Sequence, residues 1–147
     1  MGSEMLNLQD FLPYRLSIAS NAVSERIARE YQSRFGLKIP EWRLMAVLGE
    51  GRPLTQRELV AATLMDKVTV NRAARALADR ALIDRHAHGS DRRSHHLVLS
   101  DAGRALYDEI VPAALAMERK LTAALSEDDR TRLDTMLTTL IAAANAR

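Results

Sequence analysis

Residues 54–99 read LTQRELVAATLMDKVTVNRAARALADRALIDRHAHGSDRRSHHLVL. Within them, Thr55-Gln56-Arg57-Glu58 has the spacing of a capping box: a threonine hydroxyl accepts from the third helical amide while the glutamate reaches back to the cap amide. A helix starts there. Leu54, Leu59 and Ala62 give it a short apolar face, and Asp66 offers a fresh cap a few residues after that face ends. Two short helices therefore meet across a tight turn.

In the second helix Val70, Ala73, Ala74 and Leu77 fall at i, i+3, i+4 and i+7, a stripe that packs inward. The opposite face carries Lys67, Val68, Thr69, Asn71, Arg72 and Arg75, with no acidic member after the capping Asp66. These group types can read a major groove, since arginine forks onto guanine, asparagine onto adenine, and a methyl group meets thymine. A basic helix face on its own is more often simply solvated. The next segment of the chain decides between the two. Leu82 to His88 reads as a strand, Gly89-Ser90-Asp91-Arg92-Arg93 as a turn-rich tip, and His95 to Leu99 as the returning strand. An arginine-bearing tip suits phosphates or the narrow minor groove, and Asp91 can hold one arginine through a charge-assisted fork. The ordered elements predict a mainly α chain with a small β-hairpin (α+β), a winged helix-turn-helix, and duplex DNA as its partner.

The same ordered set resembles the MarR (multiple antibiotic resistance regulator) family of bacterial transcription factors over nearly the whole chain. The resemblance is strongest in Asp66-Lys67-Val68-Thr69-Val70-Asn71-Arg72, Leu82-Ile83-Asp84-Arg85, Asp91-Arg92-Arg93 and Leu97-Val98-Leu99-Ser100-Asp101-Ala102-Gly103. It implies that Asn71, Arg72 and Arg75 face bases or phosphates, that Arg92 and Arg93 form the wing tip, and that Asp91 orients an arginine. With Thr55, Lys67, Val68 and Thr69 these make up the candidate DNA-binding residues. One departure stands out: where many members place glycine before the first wing strand this chain has Ala81, which makes a left-handed helix end harder to form.

A chain of 147 residues, 47% of them hydrophobic, is one domain by size, with ample material for a core. Residues 51–99 form the expected DNA-binding module, flanked by helical segments 10–50 and 100–147. The net charge of +2 hides an uneven distribution: nine basic residues against five acidic between Arg52 and Arg93 leave a local +4, and the remainder holds −2. Positive charge is gathered where a duplex would lie. There is no cysteine, hence no disulfide framework and no thiol switch. No apolar run approaches the roughly twenty residues that span a bilayer, and the N-terminus lacks a signal pattern. The expectation is a cytoplasmic protein without membrane contact.

The flanking segments read as amphipathic helices. Leu16, Ala19, Val23, Ile27 and Tyr31 recur at helical spacing from Leu12 to Tyr31. Gly36 and Pro40 punctuate the end, and a shorter helix runs from Glu41 to Leu48. Near the C-terminus Ser126 caps a helix whose Leu133, Met136, Leu137, Leu140 and Ile141 form one stripe. The family resemblance implies that first and last helices interlock with those of a second subunit, giving a homodimer. Its two recognition helices would sit about 34 Å apart and call for a near-palindromic operator. All six aromatic residues lie outside the module, which argues against single-strand binding by base stacking. The resemblance also implies a small, often aromatic effector. Tyr14, Trp42 and Met45 are its candidate pocket residues, although aromatics and methionine at helical spacing also read as ordinary core.

All four histidines, His86, His88, His95 and His96, fall in the wing strands. Period-2 spacing sets His95 and His96 on opposite faces, so at most three can converge, and exposed hairpin histidines are preferred over a metal site. Their protonation in mildly acidic solution would add positive charge to the wing and tighten DNA binding. No glycine-rich phosphate loop, H-E-x-x-H or G-x-S-x-G is present, which speaks against an enzyme, and no cofactor is expected. The function expected is a sequence-specific regulator, a repressor released by its effector. The alternative is a winged-helix module that binds protein partners, or binds DNA nonspecifically, without effector control. That alternative would favour apolar anchors or acidic groups on the open helix face, where only Val68 is apolar.

Overall fold

The computed structural model of the protein describes residues 4–88 and 91–147, leaving out the side chains of residues 87–94. After a 3-10 turn at Leu8–Asp10 the chain forms helix α1 (Leu12–Phe35), α2 (Ile39–Leu48), α3 (Gln56–Thr63), α4 (Lys67–Asp79), strands β1 (Ile83–His88) and β2 (Asp91–Leu99), then α5 (Asp101–Leu121) and α6 (Glu127–Asn145). Pro13 and Pro40 sit in the first turns of α1 and α2, where a missing amide hydrogen costs nothing. For this reason α2 begins ahead of Glu41, the start that periodicity predicts. The carboxylate of Glu41 instead accepts from the Lys38 amide at 3.2 Å. Helix α1 ends at Gly36, whose φ of 64° is the left-handed conformation that glycine adopts without strain.

Two compact units divide the chain, Met1–Val111 and Pro112–Arg147. The division falls inside α5, at Pro112, where the helix lacks one amide hydrogen. The first unit holds the core. Leu37, Leu44, Met45 and Leu48 of the α1–α2 region, Leu59 of α3, Val70, Ala73, Ala74 and Leu77 of α4, and Ile110 of α5 are buried together with Leu82, Ile83 and Leu97 of the hairpin. Each fully buried leucine contributes about 1.5–3 kcal/mol relative to exposure, so this cluster sets the mutual arrangement of α2, α3 and α4. Leu54 makes a single antiparallel bridge to β2: its amide donates to Leu97 O at 3.2 Å and its carbonyl accepts from Leu97 N at 2.7 Å.

The second unit is the end of α5 and all of α6. Ser126 Oγ accepts from the Asp129 amide at 3.1 Å, and Glu127, Asp128 and Asp129 complement the positive end of the helix dipole. Arg130 reaches Glu118 at 3.3 Å. No residue of α6 is buried: Leu133, Met136, Leu137, Leu140 and Ile141 keep 38–59% of their surface open.

Candidate nucleic-acid interface

The helix pair is built as its capping residues dictate. Thr55 Oγ1 accepts from the Glu58 amide at 3.1 Å and Glu58 Oε1 accepts from the Thr55 amide at 3.0 Å, the reciprocal capping box. Helix α3 closes on Leu64, a non-glycine residue at φ 58° with 91% of its surface exposed, whose amide donates to Val60 O. Three residues later the chain re-enters a helix. Asp66 Oδ1 accepts from the Thr69 amide at 2.7 Å, and Asp66 Oδ2 accepts from the Thr69 hydroxyl at 3.0 Å. These bonds, the backbone one first and the hydroxyl one next, hold the Asp66 carboxyl below the usual carboxylate range.

With Val70, Ala73, Ala74 and Leu77 turned inward, Lys67, Val68, Asn71, Arg72 and Arg75 are exposed along the other side of α4. Thr69 differs from the rest of this set, being half-buried with its hydroxyl committed to Asp66. Thr55 is likewise half-buried at the head of α3.

The hairpin pairs Ile83 with Leu99, Arg85 with Leu97, His86 with His96 and Ala87 with His95, with a register shift before His88 meets Asp91. Strand β2 thus takes in Asp91, Arg92 and Arg93, which the sequence reading assigns to the tip, because charged strand residues and turn residues look alike to period-2 reasoning. Their side chains, like Gly89 and Ser90 altogether, lie outside the described residues. His86 and His96 face one another across the ladder. Among the described residues no group of three histidine, aspartate or glutamate side chains is placed to hold a metal ion.

Entry to and exit from the wing are locked together. Ala81 adopts φ 57° despite its Cβ, and its amide and that of Leu82 donate to Ala78 O and Leu77 O, both at 2.9 Å. This is a Schellman end in which alanine stands where glycine is easiest. Ser100 Oγ donates to Ala81 O at 2.7 Å and accepts from the Gly103 amide at 3.0 Å, while the Ser100 amide donates to Leu82 O at 3.0 Å. Gly103 lies against the Leu82 carbonyl, leaving no room for a Cβ.

The three candidate effector residues do not come together within the chain. Met45 is fully buried in the core. Trp42 is half-buried between Tyr31 and Tyr107, with ring centroids 5.6 and 6.0 Å away, and burial raises the Tyr31 phenol above its ordinary pKa. Tyr14 sits near the start of α1, seventeen residues before Tyr31 and thus about 25 Å from it along the helix. An open groove exists elsewhere, lined by Ala28, Arg29, Gln32 and Ser33 of α1 and by Leu37 and Ile39. Sequence reasoning missed two contacts: the bridge from Leu54 to Leu97, and Arg80, which reaches from the end of α4 to the end of α1. A basic residue closing a helix was the available signal for the second.

A family model for the MarR family matches residues 35–94. The solved structure of a probable transcriptional regulator from Pseudomonas aeruginosa is 30% identical, covers 91% of this chain and 99% of that one, and superimposes with a TM-score of 0.79. The HTH-type transcriptional repressor NicR of Pseudomonas putida is 27% identical over 97 residues, 66% of this chain and 61% of its own length. BpsR of Bordetella bronchiseptica, a protein whose DNA binding is regulated by 6-hydroxynicotinic acid, shares the fold at a TM-score of 0.87 and 20% identity, covering 98% of this chain and 100% of that one. A capped helix pair, an exposed basic recognition helix and a braced hairpin define a DNA-binding transcription regulator of the winged helix-turn-helix class. The chain belongs to the MarR family. No helix among the described residues is long and apolar enough to cross a membrane.

Proposed function

We propose that this chain is a homodimeric repressor that reads a near-palindromic duplex and is released by a small aromatic effector. The observation that carries the reading is the open face of α4, where Lys67, Asn71, Arg72 and Arg75 stand exposed beside Val68 on a helix whose other face is locked in the core. Arg75, Arg72 and Asn71 supply forks for base edges, and Val68 a methyl surface for thymine. Lys67, the Thr55 hydroxyl, the Thr69 methyl and the wing residues Arg92 and Arg93, steered by Asp91, add phosphate and groove contacts.

The exposed stripe of α6, together with exposed Leu12, Leu16 and Val23 on α1, supports a second copy as the cover for these faces. In such a dimer the recognition helices lie one DNA turn apart. Likeness to the repressor NicR supports repression, and the fold shared with BpsR supports control by an aromatic acid. The effector site centres on Trp42, with Met45 behind it in the core. The test is to recover and sequence the fraction of randomised duplex DNA bound at physiological salt. An enriched near-palindrome with half-sites one turn apart is expected; salt-sensitive retention without enrichment overturns the reading. Titrating 6-hydroxynicotinic acid against the fluorescence of Trp42, the chain's single tryptophan, then tests the effector arm, with DNA release expected over the same concentration range.

A further inference from the structure

The recognition helix is fastened to the long first helix at a point that its apolar stripe does not reach. Arg80, which closes α4, donates from Nη1 to Gly36 O at 3.2 Å and from Nη2 to Phe35 O at 3.3 Å. Both carbonyls belong to the end of α1, where the last C=O groups have no partner inside the helix and the helix dipole is negative. A planar guanidinium suits this place: it presents donors from two nitrogens in a fixed fork to two neighbouring oxygens, whereas an ammonium offers its donors from one freely rotating nitrogen. The receiving end of α1 is set by Gly36, whose φ of 64° is the left-handed conformation that glycine adopts without strain.

We infer that Arg80 is a positioning residue, one that fixes the placement of α4 relative to α1 and thereby the half-site spacing that the protein accepts. Val70, Ala73, Ala74 and Leu77 lock the inward face of α4 in the core, and Arg80 adds a polar tie from the end of α4 to the end of α1. The two hydrogen bonds join α4 to α1 beyond the apolar stripe, at the end of the helix. Arg80 is solvent-exposed, so its contribution to global stability is small and its effect falls on geometry. The inference rests on the proposed dimer, in which α1 belongs to the subunit interface: what ties α4 to α1 then sets the distance between two recognition helices.

The experiment uses the full chain as wild type, Arg80→Met and Arg80→Lys, on a series of duplexes carrying the enriched half-sites with the spacer varied one base pair at a time. Wild type is expected to prefer one spacing. Arg80→Met keeps the half-site sequence preference and the thermal midpoint, but its discrimination between best and neighbouring spacings falls roughly three- to tenfold, the scale of losing one or two hydrogen bonds. Arg80→Lys, which keeps charge and stem, falls almost as far because it lacks the fork, and it serves as the test should the methionine variant fail to fold. A spacing profile identical to wild type, or equal weakening at every spacing, overturns the inference and leaves the dimer reading intact. Absence of any spacing preference in wild type overturns the dimer reading itself, and the inference with it.

Discussion

The hydroxyl of Ser100 donates to the carbonyl of Ala81 across 2.7 Å, tying the left-handed end of α4, two residues before the wing, to the first residue after it. Since Ser100 also receives the Gly103 amide, one side chain both caps α5 and clamps the left-handed end of α4. Ser100→Ala is expected to destabilise the protein by about 1–2 kcal/mol, the worth of a cap and a net hydrogen bond, as read from the denaturant midpoint. An unchanged midpoint would show that water replaces both bonds.

Ala81 occupies φ 57°, a conformation that costs a residue with a Cβ about 1–2 kcal/mol. Ala81→Gly removes that strain at the expense of extra freedom in the unfolded chain, and should stabilise by roughly 0.5–1 kcal/mol. The same reasoning applies to Leu64, at φ 58° and without a core contact to lose. A lower midpoint in either glycine variant would refute this account of the two turns.

Gly103→Ala acts in the opposite direction, because the added methyl runs into the backbone carbonyl of Leu82 and no flexible side chain can yield. A loss of about 1–3 kcal/mol or more is expected, with duplex DNA binding lost alongside as the hairpin is pushed from α5. Retention of wild-type stability and binding would mean that α5 can draw back from Leu82 at little cost.

Asp66 makes the start of α4 sensitive to acid. Its folded pKa is lowered by the Thr69 bonds, so the cap stabilises the fold above the ordinary carboxylate range and that contribution is lost as pH falls through the depressed folded value. Stability of the wild type, measured by circular dichroism, should therefore fall as pH drops from the ordinary carboxylate range through the folded value. Asp66→Asn, a cap that does not titrate, should remove this component. Identical acid profiles for the two proteins would exclude Asp66 as its source.

Arg75 and Arg92 are expected to separate base reading from phosphate attraction. Arg75→Ala should weaken the enriched operator by about 1–3 kcal/mol and leave unrelated DNA little affected. Arg92→Ala should weaken all sequences alike and reduce the slope of log affinity against log salt by about one unit. If both variants behave identically, the division of roles between helix and wing fails.

Legibility from sequence tracks the range of the interactions concerned. Caps and helix stripes are local, so Thr55 with Glu58, Asp66 with Thr69, Ser126 with Asp129, and the inward set Val70, Ala73, Ala74 and Leu77 are all readable from spacing alone. The exposed composition of α4 comes with the stripe, because what does not face the core faces solvent. By contrast, the hairpin register, with its shift at His88 and the early start of β2, depends on pairing between strands that period-2 alternation leaves open.

What the sequence alone determined is the order of elements, their capping and the charge of the recognition face, since each depends on residues within a few positions of one another. What only the tertiary structure decided is where distant residues meet. Tyr14 and Trp42 stand apart in one chain, because Tyr14 lies in the first turn of the 24-residue α1 while Trp42 packs on Tyr31 near its end. Met45 belongs to the core, Ala81 accepts strain because Ser100 and the Schellman bonds hold it, and Arg80 crosses 44 positions of sequence to grip Gly36. Such contacts depend on how the elements pack in space, and local residue patterns carry no record of that packing.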